Sequence, residues 1–245
     1  MTDARLLIDI GNSRIKWAWA RGGKIEAERA GRGDFSELER ACRPGSGSRP
    51  SEVIMAGVAG ADRVQQVVEL CTVRWDIEPR VLRARNEQGG VRNGYRESGT
   101  LGVDRWLAIV GAVACYGKPV VVWDLGTATT LDAVDADGQH LGGWILPGPA
   151  TMLDALGSHT RLSVPDGLDD AGAIEPGQST ADAIRRGVLA AQAGALDQFL
   201  KSLEGRLGKN PRQIVTGGAA PSLVEGLGID CVLDPWLVFR GMLVD

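Results

Sequence analysis

The chain carries two copies of one local pattern, an apolar run that ends in Asp-x-Gly and continues into small polar residues. The first copy reads LLIDIGNS at residues 6–13, and the second reads VVWDLGTA at residues 121–128. A buried strand that ends in a carboxylate and turns on glycine places backbone N–H groups beside an oxygen that can bind a metal ion. Because the two copies occur in matching contexts, we expect two facing turns that clamp a magnesium nucleotide.

The segments that follow each copy have the same order in both halves. In the first half, the patterns predict strands at 5–10, 15–20 and 24–29, a helix at 34–42, a strand at 53–58, a helix at 63–73 and a strand at 80–83. In the second half they predict strands at 119–125, 129–134 and 140–146, a helix at 179–203, a strand at 213–215, a helix at 220–226, a strand at 231–233 and a helix from 235. This repeated βββαβαβ order predicts an α/β protein with two related domains, residues 1–117 and 118–245, and a cleft between them that holds the ligands.

Composition excludes several classes of protein. Of the 245 residues, 44% are hydrophobic and 24% are charged, as in ordinary globular proteins. The net charge of −4 argues against a general nucleic-acid binder, and the apolar runs are too short to cross a membrane. The first residues lack the layout of a signal peptide, and the four scattered cysteines suit free thiols in a reducing compartment. We therefore expect a soluble cytoplasmic protein that binds neither nucleic acid nor membrane.

The first turn combines groups that suit a phosphate ligand. Asp9 and Lys16 flank a flexible Gly-Asn-Ser segment whose N–H groups and Ser13 hydroxyl can reach phosphate oxygens, while Lys16 supplies a positive charge. The second copy offers comparable groups without a lysine, at Asp124, Gly126, Thr127 and Thr129. Two carboxylates and several waters suit Mg²⁺. The alternative is that both segments are ordinary β-turns.

A third segment, GVDRW at residues 102–106, begins a stretch that is helical by composition through residue 115. Asp104 near a helix N-terminus can simply cap the helix, because the helix dipole stabilises a carboxylate there. It can also accept a proton from a substrate hydroxyl while Arg105 holds an anionic group nearby. Both interpretations remain open at this point.

Three weaker motifs lie in the second half. The glycines of GGWILPG at 142–148 permit close approach of a ligand, and QST at 178–180 begins a helix that Thr180 can cap. The TGG segment at 216–218 follows a strand and can pass near a nucleotide base.

Taken in order, these motifs resemble the type III pantothenate kinases, the family that also includes the Bvg accessory factors. The resemblance covers nearly the whole chain, and the ordered set of motifs is far more specific than any one member. It rests on DIGNSRIK at 9–16, RNGY at 92–95, GVDRW at 102–106, DLGTA at 124–128, GGWILPG at 142–148, HTR at 159–161 and QST at 178–180.

The resemblance implies an actin-like ATPase fold of the acetate and sugar kinase, Hsp70 and actin superfamily, built from two ribonuclease-H-like halves. It implies ATP-dependent phosphorylation of pantothenate, the first step toward coenzyme A, by a homodimer that uses Mg²⁺ and is stimulated by K⁺ or NH₄⁺. The ATP-binding residues implied by motif position are Asp9, Ile10, Gly11, Asn12, Ser13, Arg14, Ile15, Lys16 and Thr127. Asp104 is implied as the proton acceptor and Asp124 as part of a monovalent-cation site, while the pantothenate site is implied to contain Tyr95, Gly102, Val103, Asp104, Arg105 and Thr180.

Two alternatives remain at the level of sequence. One is a regulatory protein of the Bvg accessory kind, which would be indicated by damage to Lys16, Asp104 or Asp124, but all three are intact. The other is a kinase of the same fold that acts on a different small hydroxylated metabolite, because a fold does not fix a substrate. By resemblance, Thr180 reaches the pantothenate site of a neighbouring subunit, and the apolar positions of the helix that it begins are expected to serve both a core and a partner. The alternative is that these apolar positions pack only within their own domain and that Thr180 only caps the helix.

Overall fold

The computed structural model describes residues 3–43, 49–57, 60–168 and 174–244. It contains two compact units, one formed by Met1–Cys115 together with Trp236–Asp245, and the other by Tyr116–Pro235. Each unit is built around a five-stranded mixed sheet with helices packed against it.

The first unit contains five strands and two helices in the predicted βββαβαβ order, followed by a short hairpin and a third helix. These elements are β1 (Ala4–Ile10), β2 (Ile15–Arg21), β3 (Lys24–Gly33), α1 (Phe35–Ala41), β4 (Glu52–Gly57), α2 (Ala61–Trp75), β5 (Arg80–Val81), β6 (Glu87–Gln88), β7 (Val91–Arg92) and α3 (Val103–Tyr116). The sheet order is β3-β2-β1-β4-β5, with β1 antiparallel to β2 and parallel to β4. The apolar run of β1 is continuous because this central strand is buried on both faces.

The second unit repeats this arrangement. Its elements are β8 (Val120–Leu125), β9 (Ala128–Val134), β10 (His140–Pro147), α4 (Pro149–His159), α5 (Thr180–Ser202), β11 (Arg212–Thr216), α6 (Ala220–Leu227) and β12 (Val232–Leu233). The sheet order is β10-β9-β8-β11-β12, which matches the first sheet position by position. The predicted duplicated α/β topology is therefore confirmed, and β1 and β8, which carry the two Asp-x-Gly copies, occupy equivalent central places.

Alternate side chains of the two central strands face different layers. Leu6, Ile8 and Ile10 of β1 belong to a core cluster that also contains residues of α2, and Trp123 and Leu125 of β8 belong to a corresponding cluster with α5 and α6. Because side chains alternate along a strand, Asp9 and Asp124 lie on the opposite faces of their sheets. Burial of the apolar faces thus fixes where both carboxylates point.

The last helix, α7 (Leu237–Met242), groups with the first unit, whereas the predicted domain ranges assign it to the second domain. It packs against β1, and Gly241 lies so close to the backbone of Leu107 in α3 that any side chain at this position would clash. The prediction placed this segment in the second domain because it follows β12 along the chain. A contact between residues this far apart in sequence leaves no local pattern.

Two further elements escaped the sequence patterns, namely the β6–β7 hairpin and α4. The paired strands of the hairpin are two residues long, and α4 begins directly after Pro147-Gly148, which resembled a loop. The predicted strand at 53–58 is observed as Glu52–Gly57, and its last predicted residue, Val58, lies outside the described residues. Within the described part of the chain, no helix is both long enough and apolar enough to span a membrane.

Candidate functional site

Asp9 and Lys16 face each other across the β1–β2 hairpin. They are register partners, and the Lys16 Nζ lies 3.5 Å from the Asp9 Oδ2. Asp9 is only 5% exposed, whereas the Lys16 side chain is 46% exposed. Burial raises the pKa of Asp9, Lys16 opposes that rise, and the nearby Asp104 carboxylate adds to it. The protein therefore holds a buried carboxylate whose charge Lys16 only partly offsets.

The hairpin turn between these two residues is exposed at its tip. Asn12, Ser13 and Arg14 are exposed, and the Gly11 N–H donates to the Arg14 carbonyl at 3.0 Å. The side chains of Ile10 and Ile15 are buried in the core, so these two residues can meet a ligand only through their backbone. The turn thus presents short polar residues next to the Asp9–Lys16 pair.

Asp104 is the second residue of α3, in agreement with its predicted place near a helix N-terminus, and is half-buried. Its Oδ1 accepts a hydrogen bond from the backbone N–H of Arg105 at 2.8 Å, so the carboxylate does help to satisfy the first turn of the helix. The same side chain lies close enough to Asp9 to raise its pKa. The start of α3 therefore places Asp104 within electrostatic range of Asp9 while the carboxylate also serves the first turn of the helix.

Arg105 points to Tyr95. It is 8% exposed, and its Nη1 donates to the Tyr95 hydroxyl at 2.8 Å. A nearly buried guanidinium costs desolvation energy and presents several donors in a fixed fork, which suits recognition of a carboxylate. The structure thus brings Tyr95, Asp104 and Arg105 together in the first unit. Gly102 lies at the same place, where a Cβ would be 2.7 Å from the Asp104 Oδ1, and Val103 is buried beside it.

Asn93 and Gln88 support this arrangement and were missed as individual residues. The Asn93 amide donates to the Arg85 and Ser98 carbonyls, and its Oδ1 accepts from the Tyr95 N–H at 3.0 Å. Gln88 accepts from the Trp106 Nε1 at 2.9 Å and donates to the Val244 carbonyl. The sequence analysis includes Asn93 only as part of the RNGY motif and predicts no role for it. Its contacts depend on a loop conformation that the sequence does not specify.

The second unit holds Asp124 and Thr127 at the end of β8. The Thr127 carbonyl accepts from the Gly148 N–H at 2.9 Å and from the Thr151 hydroxyl at 2.6 Å, so the start of α4 anchors this turn. Gly217 follows β11 with φ of +96°, and a Cβ there would lie 2.6 Å from the Asp124 Oδ1. The motifs DLGTA, GGWILPG and TGG therefore lie close together in the second unit, where β8, β10 and β11 end.

Thr129 does not join this group as the sequence interpretation assumed. The β8–β9 register pairs Asp124 with Thr130 and Leu125 with Thr129, and directly paired residues project to the same face. Thr129 is fully buried on the face of Leu125. Thr130 is therefore the threonine of β9 on the face of Asp124.

Thr180 is the first residue of α5 and is exposed, but it is not the helix cap. Ser179 takes that role, because its hydroxyl oxygen accepts from the Asp182 N–H at 3.1 Å. The apolar residues of α5 pack mainly within their own unit, where Ile184, Val188, Leu189, Leu196 and Phe199 are buried. The expectation that this stripe also serves a partner is therefore not supported by its burial.

The donor chemistry fits Mg²⁺ held mostly by a nucleotide and water. Among the residues that the structure describes, no group of three or more His, Cys, Asp or Glu side chains could hold a metal ion. Asp9 and Asp124 each offer carboxylate oxygens at a strand end, and the raised pKa of Asp9 marks a site where added positive charge would be favourable. Mg²⁺ commonly uses one or two carboxylates plus waters and substrate phosphates.

Residues 5–202 match the family model described as type III pantothenate kinase. A protein of Methylibium petroleiphilum named type III pantothenate kinase is 39% identical over 97% of this chain and 96% of its own length. One of the same name from Burkholderia lata is 35% identical over 99% of this chain and 94% of its own.

Solved structures show the same fold at low sequence identity. A Campylobacter jejuni protein assigned to the Baf family of transcriptional activators is 22% identical, with a TM-score of 0.59 over 97% of this chain and 94% of its own. The ethanolamine utilization protein EutJ of Carboxydothermus hydrogenoformans is 14% identical, with a TM-score of 0.55 over 98% of this chain and 89% of its own. At these identities the likeness supports the predicted actin-like ATPase and sugar kinase fold, and nothing beyond the fold.

Proposed function

The chain belongs to the type III pantothenate kinase family, and we propose which of its residues act in each part of the phosphoryl transfer. It is an ATP-dependent kinase that phosphorylates pantothenate to 4′-phosphopantothenate in coenzyme A biosynthesis. The hydroxyl oxygen of pantothenate attacks the γ-phosphorus, the bond to the bridging oxygen breaks, and ADP leaves with that electron pair.

Asp104 is the general base in this proposal. It accepts the proton of the attacking hydroxyl, and its place at the start of α3, next to the Arg105–Tyr95 pair and within electrostatic range of Asp9, is the observation that carries the assignment. The buried Asp9 and the half-buried Asp104 repel each other when both are ionised, so a cation close to Asp9 is favourable. Asp104 would take up the hydroxyl proton as the new bond to phosphorus forms, and Mg²⁺ bound with the nucleotide would supply positive charge near Asp9.

The β1–β2 turn is the proposed nucleotide site in the first unit. Asp9 and Lys16 act on the phosphates with the turn residues Gly11, Asn12, Ser13 and Arg14, and Ile10 and Ile15 contribute backbone groups. Thr127 is a further ATP-binding residue in this proposal, and Asp124 would be part of a monovalent-cation site for K⁺ or NH₄⁺. Mg²⁺ supplies charge neutralisation on the phosphates, and Asp9 and Asp124 are the carboxylates that would hold these cations.

The pantothenate side consists of Tyr95, Gly102, Val103, Arg105 and Thr180. Arg105 is held by the Tyr95 hydroxyl and directs a guanidinium fork toward the substrate carboxylate. The guanidinium of Arg105 therefore favours a substrate that carries a carboxylate over one that does not. The four cysteines are free, which suits a reducing cytoplasm as the site of action.

A substrate panel tests the proposal. ATP consumption, measured by coupled detection of ADP, is expected with pantothenate. It should be far lower with a pantothenate analogue that lacks the carboxylate, with pantetheine or with simple sugars. Because Arg105 reads the carboxylate, Arg105→Met should reduce the preference for pantothenate over its decarboxylated analogue. Equal turnover of pantothenate and of the analogue without the carboxylate by the wild type would contradict the assigned role of Arg105. A transcriptional role is not favoured, since the curated relatives described above are named as kinases.

A homodimer with shared sites is a further part of the proposal. Ile145 of the edge strand β10 is 64% exposed, which gives apolar surface for a second copy. A two-fold dimer that places Thr180 in the partner's pantothenate site contains two equivalent shared sites.

Mixing two inactive variants is expected to restore activity if the sites are shared. Asp104→Asn chains and Thr180→Trp chains, exchanged at equal amounts, form hybrid dimers in which one site has both residues intact. Random mixing should return about a quarter of wild-type activity, because half of the dimers are hybrids with one good site each. Gln198→Trp, on an exposed position of α5, is the control for a bulky residue. Absence of recovery from folded dimeric variants, or an active monomer by sedimentation, would contradict the shared site.

A further inference from the structure

Arg63, in the first turn of α2, reaches the nucleotide-binding turn that is 52 positions away in sequence. Its Nη1 donates to the Asn12 carbonyl at 2.7 Å and to the Gly11 carbonyl at 3.2 Å. Arg63 belongs to no motif of the sequence analysis. A positively charged side chain near a helix N-terminus is disfavoured by the helix dipole, so the α2 terminus itself gives no reason for it.

The two carbonyls that Arg63 binds belong to consecutive peptide groups. In a planar trans peptide the C=O and the N–H of the next residue point in opposite directions. The Gly11 carbonyl is therefore coupled to the Asn12 N–H, and the Asn12 carbonyl is coupled to the Ser13 N–H. By holding both carbonyls, the Arg63 guanidinium directs these two successive N–H groups to the other side of the turn.

Successive N–H groups that point the same way form an anion-binding concavity. Resting on the nucleotide site proposed above, we infer that Arg63 is a positioning residue for ATP, which fixes the turn so that the Asn12 and Ser13 N–H groups face the phosphates. It acts through the turn backbone, whereas Lys16 acts through its own charge. The anchor also ties the turn to α2, whose Val64 packs near Ile10 and Gly57.

The chemistry of the side chain makes the inference specific to arginine. One guanidinium nitrogen carries two hydrogens and so can serve both carbonyls at once. Lysine keeps the charge but lacks the planar fork, and methionine keeps only the apolar stem. If Arg63 acted as a remote positive charge for the phosphates, lysine would replace it well. If it orients the turn, lysine should perform nearly as badly as methionine.

The test is direct binding of Mg·ATP and Mg·ADP to the intact protein by calorimetry, without pantothenate, together with steady-state kinetics. We expect Arg63→Met and Arg63→Lys each to weaken nucleotide binding and raise the KM for ATP by about 10-fold, with the KM for pantothenate unchanged. The Asn12 and Ser13 amides should exchange hydrogen faster in both variants. Arg74→Met, on the last turn of the same helix, is the matched control and should bind nucleotide like the wild type.

Lys16→Ala separates this inference from the proposed function. If Lys16→Ala weakens nucleotide binding and the Arg63 variants do not, the inference is wrong and the turn remains the nucleotide site. If Lys16→Ala also leaves binding unchanged, the turn is not the nucleotide site, and both proposals fail. If Arg63→Lys binds nucleotide like the wild type and Arg63→Met binds it more weakly, Arg63 acts only through its positive charge, and the inference is wrong. Because Arg63 is exposed, all variants are expected to fold, which thermal unfolding checks.

Discussion

Replacing Asp104 with Asn is expected to lower kcat by ~10²–10⁴-fold, the usual effect of removing a positioned base. Asparagine has nearly the same size, and its side-chain oxygen can still accept the Arg105 N–H that Asp104 accepts at 2.8 Å. It cannot take up a proton from the substrate hydroxyl. The loss should therefore appear in kcat, measured by steady-state turnover of pantothenate, with the thermal unfolding midpoint close to that of the wild type.

A nearby carboxylate provides the matched control for this experiment. Glu97 is exposed in the loop before α3, and Glu97→Gln removes a negative charge from the same region without touching the proposed site. Its turnover should match the wild type. Retention of more than about a tenth of wild-type kcat by Asp104→Asn would rule out its role as the base, because that loss is smaller than a base contributes.

Replacing Asp9 with Asn is expected to weaken the use of metal-bound ATP by about 10-fold or more and, at the same time, to stabilise the protein. Asp9 is buried, and its raised pKa shows that burial and the neighbouring Asp104 outweigh the attraction of Lys16. The ionised form therefore costs free energy in the folded state, and a neutral asparagine removes that cost. Each kcal/mol gained moves the unfolding midpoint by ~2–4 °C in a chain of this size, so a gain of a few degrees is expected.

The pH dependence of this gain follows from the direction of the pKa change. A carboxyl whose pKa is raised on folding holds its proton more tightly in the folded state, so its effect on stability becomes less favourable as pH rises above the ordinary value of 3.8. The difference between Asp9→Asn and the wild type should thus vanish at pH values below 3.8, grow with rising pH and level off above the raised pKa. Unfolding scans across pH measure it. Asp197→Asn, which removes an exposed partner of Lys201, should show no such gain, and a less stable Asp9→Asn at neutral pH would contradict the account.

The repeated strand pattern was sufficient to predict most of the fold. The runs LLIDIG and VVWDLG have the continuous apolar character of central strands buried on both faces, and the structure places them at the same position of two matching sheets. Alternation along these strands also determines that Asp9 and Asp124 each lie on the face of their sheet opposite the core cluster described above. These features follow from local sequence, because strand periodicity and burial are local properties.

Other features depend on contacts that have no local signature. Arg63 lies in an unremarkable polar turn of α2, and only the folded chain brings it to the Gly11 and Asn12 carbonyls. The choice between Thr129 and Thr130 depends on the register of β8 against β9, which a shift of one residue reverses. Likewise, α7 joins the first unit through close backbone packing between Gly241 and Leu107, although it follows the last strand of the second.

The affinity of Mg·ATP for the wild type, Asp9→Asn and Asp104→Asn, measured by calorimetry without pantothenate, tests most directly whether the two neighbouring carboxylates have separate tasks. We assign Asp9 to the nucleotide and Asp104 to the substrate proton. Asp9→Asn should therefore bind about 10-fold or more weakly, while Asp104→Asn should bind within about 3-fold of the wild type although it turns over slowly. Equal losses of affinity in the two variants, or wild-type affinity in Asp9→Asn, would contradict this division of roles.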